Sequence, residues 1–326
     1  MAGGDESPFE GLVVAGHGSV SSACKKLSPS SRTVVVNGKL SGREYRKLAS
    51  TMKELPGVGL RLIDYEEHSN LSFLKHFTGI QTLGVIMLGV ESFDPIAQLG
   101  GSLRVLSLAR TYRRSHSIRC LESLPNLRAL SIDGHSKSFE VVEGLTKLES
   151  LRVRSLRLED ATPLSRLADL RQLSVGFGSL HDLSPVGTLK DVETLEIGGN
   201  RNLTDLDWIQ HLGKLKHLSL YWLSAVERLP SLRPLASLDR VAIVRMKRLE
   251  SLESIADSQS IRMLLLESLP FRSPEAYRCL AAMPALQSLI VVGLGIKARA
   301  EILRAAGCSN HGFEPIPWLG DRSDGL

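Results

Sequence analysis

The pattern L-x-x-L-x-L recurs along this chain, starting at residues 57, 80, 103, 127, 148, 170, 192, 215, 238, 261 and 286, in steps of 21 to 25 residues. A repeat of that period constrains architecture more than any other sequence feature, because each copy must become one supersecondary unit stacked on the next. The fourth position holds Leu60, Leu83, Leu106, Leu130, Leu151, Leu173, Leu195, Leu218, Val241, Leu264 and Leu289. The sixth holds Leu62, Val85, Leu108, Ile132, Val153, Val175, Ile197, Leu220, Ile243, Leu266 and Val291. The first is aliphatic in ten of the eleven units, Gly57 being the exception. At 43% hydrophobic residues overall, chance would fill about fourteen of these thirty-three positions, and thirty-two are filled.

Positions four and six lie on the same side of an extended segment, so each unit supplies a short strand with one apolar face and one free face. Apolar residues at steps of three, as in Leu203, Leu206, Ile209 and Leu212 or in Leu249, Leu252 and Ile255, suit a tight 3₁₀-like or single-turn helical return that covers the apolar face. One coil cannot shield its own faces, so coils stack and their strands align in parallel about 4.8 Å apart. The predicted fold class is α/β: a curved solenoid of about eleven units, with a parallel concave sheet and a convex side of 3₁₀ and short-helical returns.

These residues resemble the leucine-rich-repeat family, and the L-x-x-L-x-x-L returns are most similar to its short bacterial-type, SDS22-like class. The resemblance covers residues 57–293. It implies binding through the concave face rather than catalysis. The turn position that carries an inward Asn in this family is Asn200 in one unit but Leu88, Thr111, His135, Leu156, Gly178, Leu223, Met246, Leu269 and Leu294 elsewhere. Apolar packing is expected to stand in for the missing side-chain hydrogen bonds in those turns.

Solenoid ends expose an apolar cross-section and need covering. The expected organisation is an N-terminal capping region at 1–56, the solenoid at 57–293, and a cap helix with a loose tail at 294–326. Leu12 to Ala15 and Thr33 to Val36 read as strands. Ser41 to Leu55 reads as a helix capped by Ser41, with Tyr45, Leu48 and Met52 along one face, and Ile296 to Ala306 as a helix stopped at Gly307.

The first residues lack the basic start and apolar run of a secretory signal, and no apolar run approaches a membrane span. Cys24, Cys120, Cys279 and Cys308 show no metal-ligand or disulfide-framework spacing, so plain thiols and a cytoplasmic setting are expected, with no metal and no cofactor. His211 and His217 fall on a return and on a strand, which makes a shared metal an unsuitable reading. The stretch Val13 to Ser19 superficially resembles the strand and His-Gly turn of caspase-like peptidases. No nucleophile follows at a workable distance, so His17 reads as part of a glycine-rich turn and the chain as no enzyme.

The free positions of each unit are three, five and seven, with eight at the rim. Most are small, including Gly84, Ser107, Ser131, Ser174, Gly176, Gly198, Ser219 and Ala242. The middle and later units differ, presenting Asp133, Arg152, Arg154, Phe177, Glu196, Tyr221, Trp222 and Arg245. Aromatic and Arg side chains among small neighbours are the composition of an interface hot spot, and these eight are the candidate partner-binding set. The expected function is a protein-interaction module, in the manner of an inhibitor, adaptor or immunity-type protein, as a monomer or an edge-mediated dimer. A net charge of +5 and the loop carrying Arg110, Arg113, Arg114 and Arg119 support an alternative, a binder of acidic polymer or nucleic acid. No basic stripe runs across many units, which disfavours a nucleic-acid track.

Overall fold

A computed structural model describes residues 12–308 apart from 56, 67–68, 114–115 and 159–160; Arg114 and the tail after Trp318 lie outside the described residues. The chain divides into two compact units, one ending at Leu148 and the other beginning at Glu149. The first contains β1 (Leu12–Ala15), α1 (Val20–Lys26), β2 (Thr33–Asn37), α2 (Gly42–Lys53), β3 (Gly59–Asp64), β4 (Thr82–Met87), β5 (Val105–Leu108) and β6 (Ala129–Asp133). The second contains β7 (Ser150–Arg154), β8 (Gln172–Gly176), β9 (Thr194–Gly198), β10 (His217–Tyr221), β11 (Arg240–Val244), α3 (Glu253–Ala256), β12 (Met263–Glu267), β13 (Ser288–Val292) and α4 (Ile296–Ala305). Within each unit every strand pairs in parallel with its sequence neighbours.

Strands β3 to β13 are the eleven repeats, and each begins at the third position of its L-x-x-L-x-L motif. Register follows the motif. Leu173, Leu195, Leu218, Val241, Leu264 and Leu289 are successive partners across β8 to β13, and Leu60, Leu83, Leu106 and Leu130 across β3 to β6. All fourth and sixth positions are buried, each contributing about 1.5–3 kcal/mol of transfer free energy. A one-residue slip would turn the whole set outward, so the pattern fixes the pairing.

The returns use the step of three twice over. In the run Leu206, Ile209, Leu212, Leu215, each N–H after the first donates to the carbonyl three residues back at 2.9–3.0 Å, and each side chain is buried. The apolar period and the 3₁₀ hydrogen-bond period coincide, so the residues that fill the coil are those whose backbone closes the turn. The same arithmetic holds at Ala161, Leu164, Leu167 and Leu170. A second recurring device lies just before most of the repeat strands, where one carbonyl accepts two N–H groups of the next coil. Glu193 O accepts from Lys216 and His217 at 2.8 and 3.0 Å, and Lys216 O from Asp239 and Arg240 at 2.9 and 3.0 Å.

The N-terminal segment forms the expected strands and helix, with the short helix α1 as an addition. β1 and β2 continue the repeat rows, Val13 pairing with Val34 and Val34 with Leu60, while α1 and α2 serve as bulkier returns. Helix α2 starts at a capping box: the Ser41 side chain accepts from Glu44 N at 3.3 Å and the Glu44 carboxylate accepts from Ser41 N at 2.9 Å. Tyr45, Leu48 and Met52 are buried along its inner face. Helix α4 ends before Gly307, which takes a left-handed φ of 65°. No helix among the described residues is long and apolar enough to cross a membrane.

Apolar substitution in the turns is only part of the outcome. Asn200 donates to Leu180 O at 2.8 Å and accepts from Asn202 N at 3.1 Å, as the inward Asn should. His135 occupies the same place, after a positive-φ glycine as Asn200 does, and its Nε2 donates to Ala109 O at 3.0 Å. Thr111, also buried, donates to Arg113 O at 2.6 Å. Two turns in which apolar packing was expected to replace the hydrogen bonds are therefore held by polar side chains, His135 reaching a buried carbonyl of the preceding coil and Thr111 bonding within its own turn.

Two measurements follow. Leu218→Ala empties a fully buried row position and should cost about 2–5 kcal/mol in urea unfolding, whereas Arg171→Ala removes an exposed ion pair to Glu193 and should cost at most about 1 kcal/mol. Burial, and secondarily the neighbouring His116, hold His135 below its ordinary pKa of 6.5. The unfolded chain then takes up that proton first, so stability present above about pH 6.5 is lost as pH falls from there through the folded value. His135→Asn keeps the bond to Ala109 O and removes the titration, so its unfolding free energy should fall less between pH 7.5 and 5.5 than that of the parent. Equal acid loss in both would assign the effect elsewhere.

Candidate protein-binding face

In the second unit, the residue that follows each strand adopts a left-handed backbone. These residues are Ser155, Phe177, Gly199, Trp222, Arg245, Ser268 and Gly293, with φ between 52° and 93°. Each of the first six donates its N–H to the last strand carbonyl of the next coil, as in Phe177 to Gly198 O at 2.9 Å, Trp222 to Val244 O at 2.9 Å and Arg245 to Glu267 O at 2.8 Å. The turn therefore carries the ladder one bond beyond the strand. Glycine adopts this conformation without cost, but an L side chain pays about 1–2 kcal/mol, and bulky residues are rare there. Phe177, Trp222 and Arg245 nevertheless occupy it.

The strained positions hold a ring cluster. Phe177, Tyr221 and Trp222 have centroids 5.5–6.0 Å apart at interplanar angles of 55–75°, so the three rings touch edge to face. The Arg154 guanidinium sits over Phe177 at 4.9 Å and that of Arg245 over Trp222 at 5.7 Å. Arg245 also faces Glu267 at 3.5 Å. Phe177 remains 39% exposed and Trp222 40%.

Tyr221 is the anchor of the cluster, and two glycines make its bed. It is the Cα partner of Gly198, and a Cβ on Gly198 would lie 2.1 Å from its ring. A Cβ on Gly176, one coil further, would lie 3.1 Å from its hydroxyl. The ring thus lies flat across two coils. Its hydroxyl bonds Glu196, whose carboxylate also accepts from Ser174 at 2.9 Å. Burial, with help from Glu196, raises the phenol above its ordinary range, so it remains a neutral donor.

Five of the eight residues singled out from sequence, Arg154, Phe177, Tyr221, Trp222 and Arg245, therefore form one cluster. Arg152 lies two residues before Arg154 in β7 and is near enough to Tyr221 to act on it electrostatically. Glu196 is only 9% exposed and its carboxylate is used to hold Tyr221, so it supports the face rather than presenting itself. Asp133 belongs to the first unit, where it pairs with Arg110 at 3.3 Å. The glycine bed and the left-handed column were missed. The signal of the column was present in the mixture of Gly and large residues at position eight, which no single side-chain requirement explains and a shared positive φ does.

The basic loop is partly neutralised: Arg110 pairs with Asp133, and Arg119 faces Glu122 at 3.7 Å. His17, 77% exposed in its side chain, sits with Nδ1 3.0 Å from Glu44. Glu44 also accepts from Gly18 N at 2.7 Å and from both the backbone and the hydroxyl of Ser41, and these bonds, Ser41 first, pull its acid down to about 2. The His-Gly turn is thus tied to the start of α2, a structural task. All four cysteines are free thiols, and burial pushes Cys120 up to about 12. Among the described residues no group of three or more His, Cys, Asp or Glu side chains is placed to hold a metal ion.

No protein-family model matches the sequence, and no curated protein matches it. Solved structures do. An internalin, InlF of Listeria monocytogenes, superposes with a TM-score of 0.63 at 17% identity over 91% of this chain and 94% of its own. TLR13, solved in a TLR13–ssRNA13 complex, gives 0.52 at 16% identity over 90% of this chain and 55% of its own. Identity this low carries fold and nothing further. With eleven motif-registered parallel strands, 3₁₀ returns and these structural neighbours, the chain has the leucine-rich-repeat solenoid fold.

Proposed function

We propose that this chain is a protein-binding module whose second unit grips its partner with the face built on Arg152, Arg154, Phe177, Tyr221, Trp222 and Arg245. The observation that carries the reading is the retention of Phe177, Trp222 and Arg245 in left-handed turns where Gly199 and Gly293 show the unstrained alternative. Backbone strain concentrated on half-exposed aromatic and Arg side chains is the signature of residues kept for contact rather than for folding. Stable protein pairs are held mainly by a few such anchors. An inhibitor or adaptor acting by occlusion, in a cytoplasmic setting, is the role that fits a binding face with no catalytic group assigned beside it.

Affinity capture with the whole chain tests this. A partner held by the parent and by an Arg110, Arg113 and Arg119 triple alanine variant should be lost from Tyr221→Ala/Trp222→Ala, with circular dichroism unchanged. Retention by the aromatic variant, or loss from the arginine triple, overturns the assignment in favour of the basic loop or another face. A second comparison separates strain from contact. Trp222→Gly should be about 1 kcal/mol more stable than Trp222→Ala, since only the alanine keeps a Cβ at φ 56°, while both variants lose the partner equally.

A further inference from the structure

We infer that the partner segment gripped by this face is an acidic peptide that sets a carboxylate beside an apolar or aromatic side chain, the carboxylate being received by Arg154. The inference rests on the binding face proposed above and adds the chemistry of its occupant.

Three ligand chemistries suit aromatic clusters, and the geometry separates them. A cation needs a cage with open space between the rings. Here the rings are in mutual contact at 5.5–6.0 Å, and guanidinium groups already occupy the cation positions over Phe177 and Trp222. A single-stranded nucleic acid needs ring faces open for stacking. Phe177 packs against Gly199 and carries Arg154 over its ring, Tyr221 lies flat on Gly198, and Trp222 carries Arg245. Anions remain. The carboxylates near the cluster are withdrawn, Glu196 being buried and held by Ser174 and Tyr221, and the Glu267 side chain 25% exposed against 52% for its partner Arg245. The outward charge of the face is therefore positive.

Arg154 is the receptor of choice because its guanidinium is engaged through its face on Phe177 and, among the described residues, forms no ion pair with a carboxylate. A planar guanidinium stacked on a ring keeps its in-plane N–H groups, which match the two oxygens of a carboxylate. The ring also removes part of the entropy cost of holding the long side chain still. Edge surface of Phe177 and Trp222 beside it supplies the apolar half of the site, which is why charge alone is an insufficient ligand.

Fluorescence anisotropy with three labelled peptides and the full chain tests the idea: Glu-Phe-Gly repeats, a Lys-Phe-Gly twin and a Glu-Ser-Gly twin, with a uridine oligonucleotide alongside. The acidic aromatic peptide should bind at least about tenfold tighter than either twin and than the oligonucleotide. Arg154→Met keeps the stem against Phe177 and removes the charge; it should weaken that peptide by about tenfold or more, with Arg154→Lys in between. Equal binding of the Lys twin, tighter binding of the oligonucleotide, absence of binding, or an unaffected Arg154→Met each overturns it. If the peptides fail while Tyr221→Ala/Trp222→Ala still loses the native partner, the face stands and its acidic occupant falls. If the native partner is also indifferent to that pair, the face itself falls.

Discussion

Contact between one coil and the next governs this protein. A single repeat of about 23 residues has an apolar strand face and an apolar return, and neither can be covered from within the coil. Stacking covers both, and stacking in register is possible only because rows such as Leu195, Leu218 and Val241 fall opposite one another. The backbone obeys the same rule. Strand N–H groups, the doubly accepting carbonyls such as Glu193 O, and the left-handed residues from Ser155 to Ser268 in the second unit all bond to the adjacent coil. Side-chain burial and hydrogen bonding therefore fail together when a coil is disturbed, which makes the interior rows intolerant and leaves the outward positions open to change.

That division explains how much the sequence could disclose. Positions four and six answer to a single requirement, burial, so an aliphatic residue there is readable without a structure. The start of α2 was equally readable, because Ser41 and the inner face of Tyr45, Leu48 and Met52 are local signals. His135 was not. Its role depends on Ala109 O, 26 positions earlier, and an apolar turn was the natural expectation until geometry showed the imidazole doing the work of Asn200. Gly176 and Gly198 were visible only as small residues. That they form the bed of a ring from β10 follows from a register relation between coils, which spacing alone does not reveal.

Candidate site residues divide along the same line. Phe177, Tyr221 and Trp222 stood out by type, and they do meet, across the coil between them, where Gly198 and Gly199 leave room for the rings. Charged residues were harder to place. Asp133 and Glu196 were grouped with them by repeat position, yet one is engaged by Arg110 and the other holds a phenol from below. A charge in a repeat array can satisfy a neighbour one coil away as readily as it can face a partner, and the sequence of a single coil does not distinguish the two.

The strain in the turns has a further physical meaning. A left-handed Phe or Trp would be costly in an isolated turn, where the chain could relax by rotating away. Here Phe177 and Trp222 each have an N–H fixed to the next coil and a ring braced on its neighbours, so relaxation would break a ladder bond and open the ring cluster together. The stack absorbs the local cost, and in return the rings are presented in one orientation. Part of the cost of binding is the entropy of ordering side chains at the surface. A face whose largest side chains are already held by backbone geometry, by a glycine bed and by a buried carboxylate has met that cost during folding, before any partner arrives.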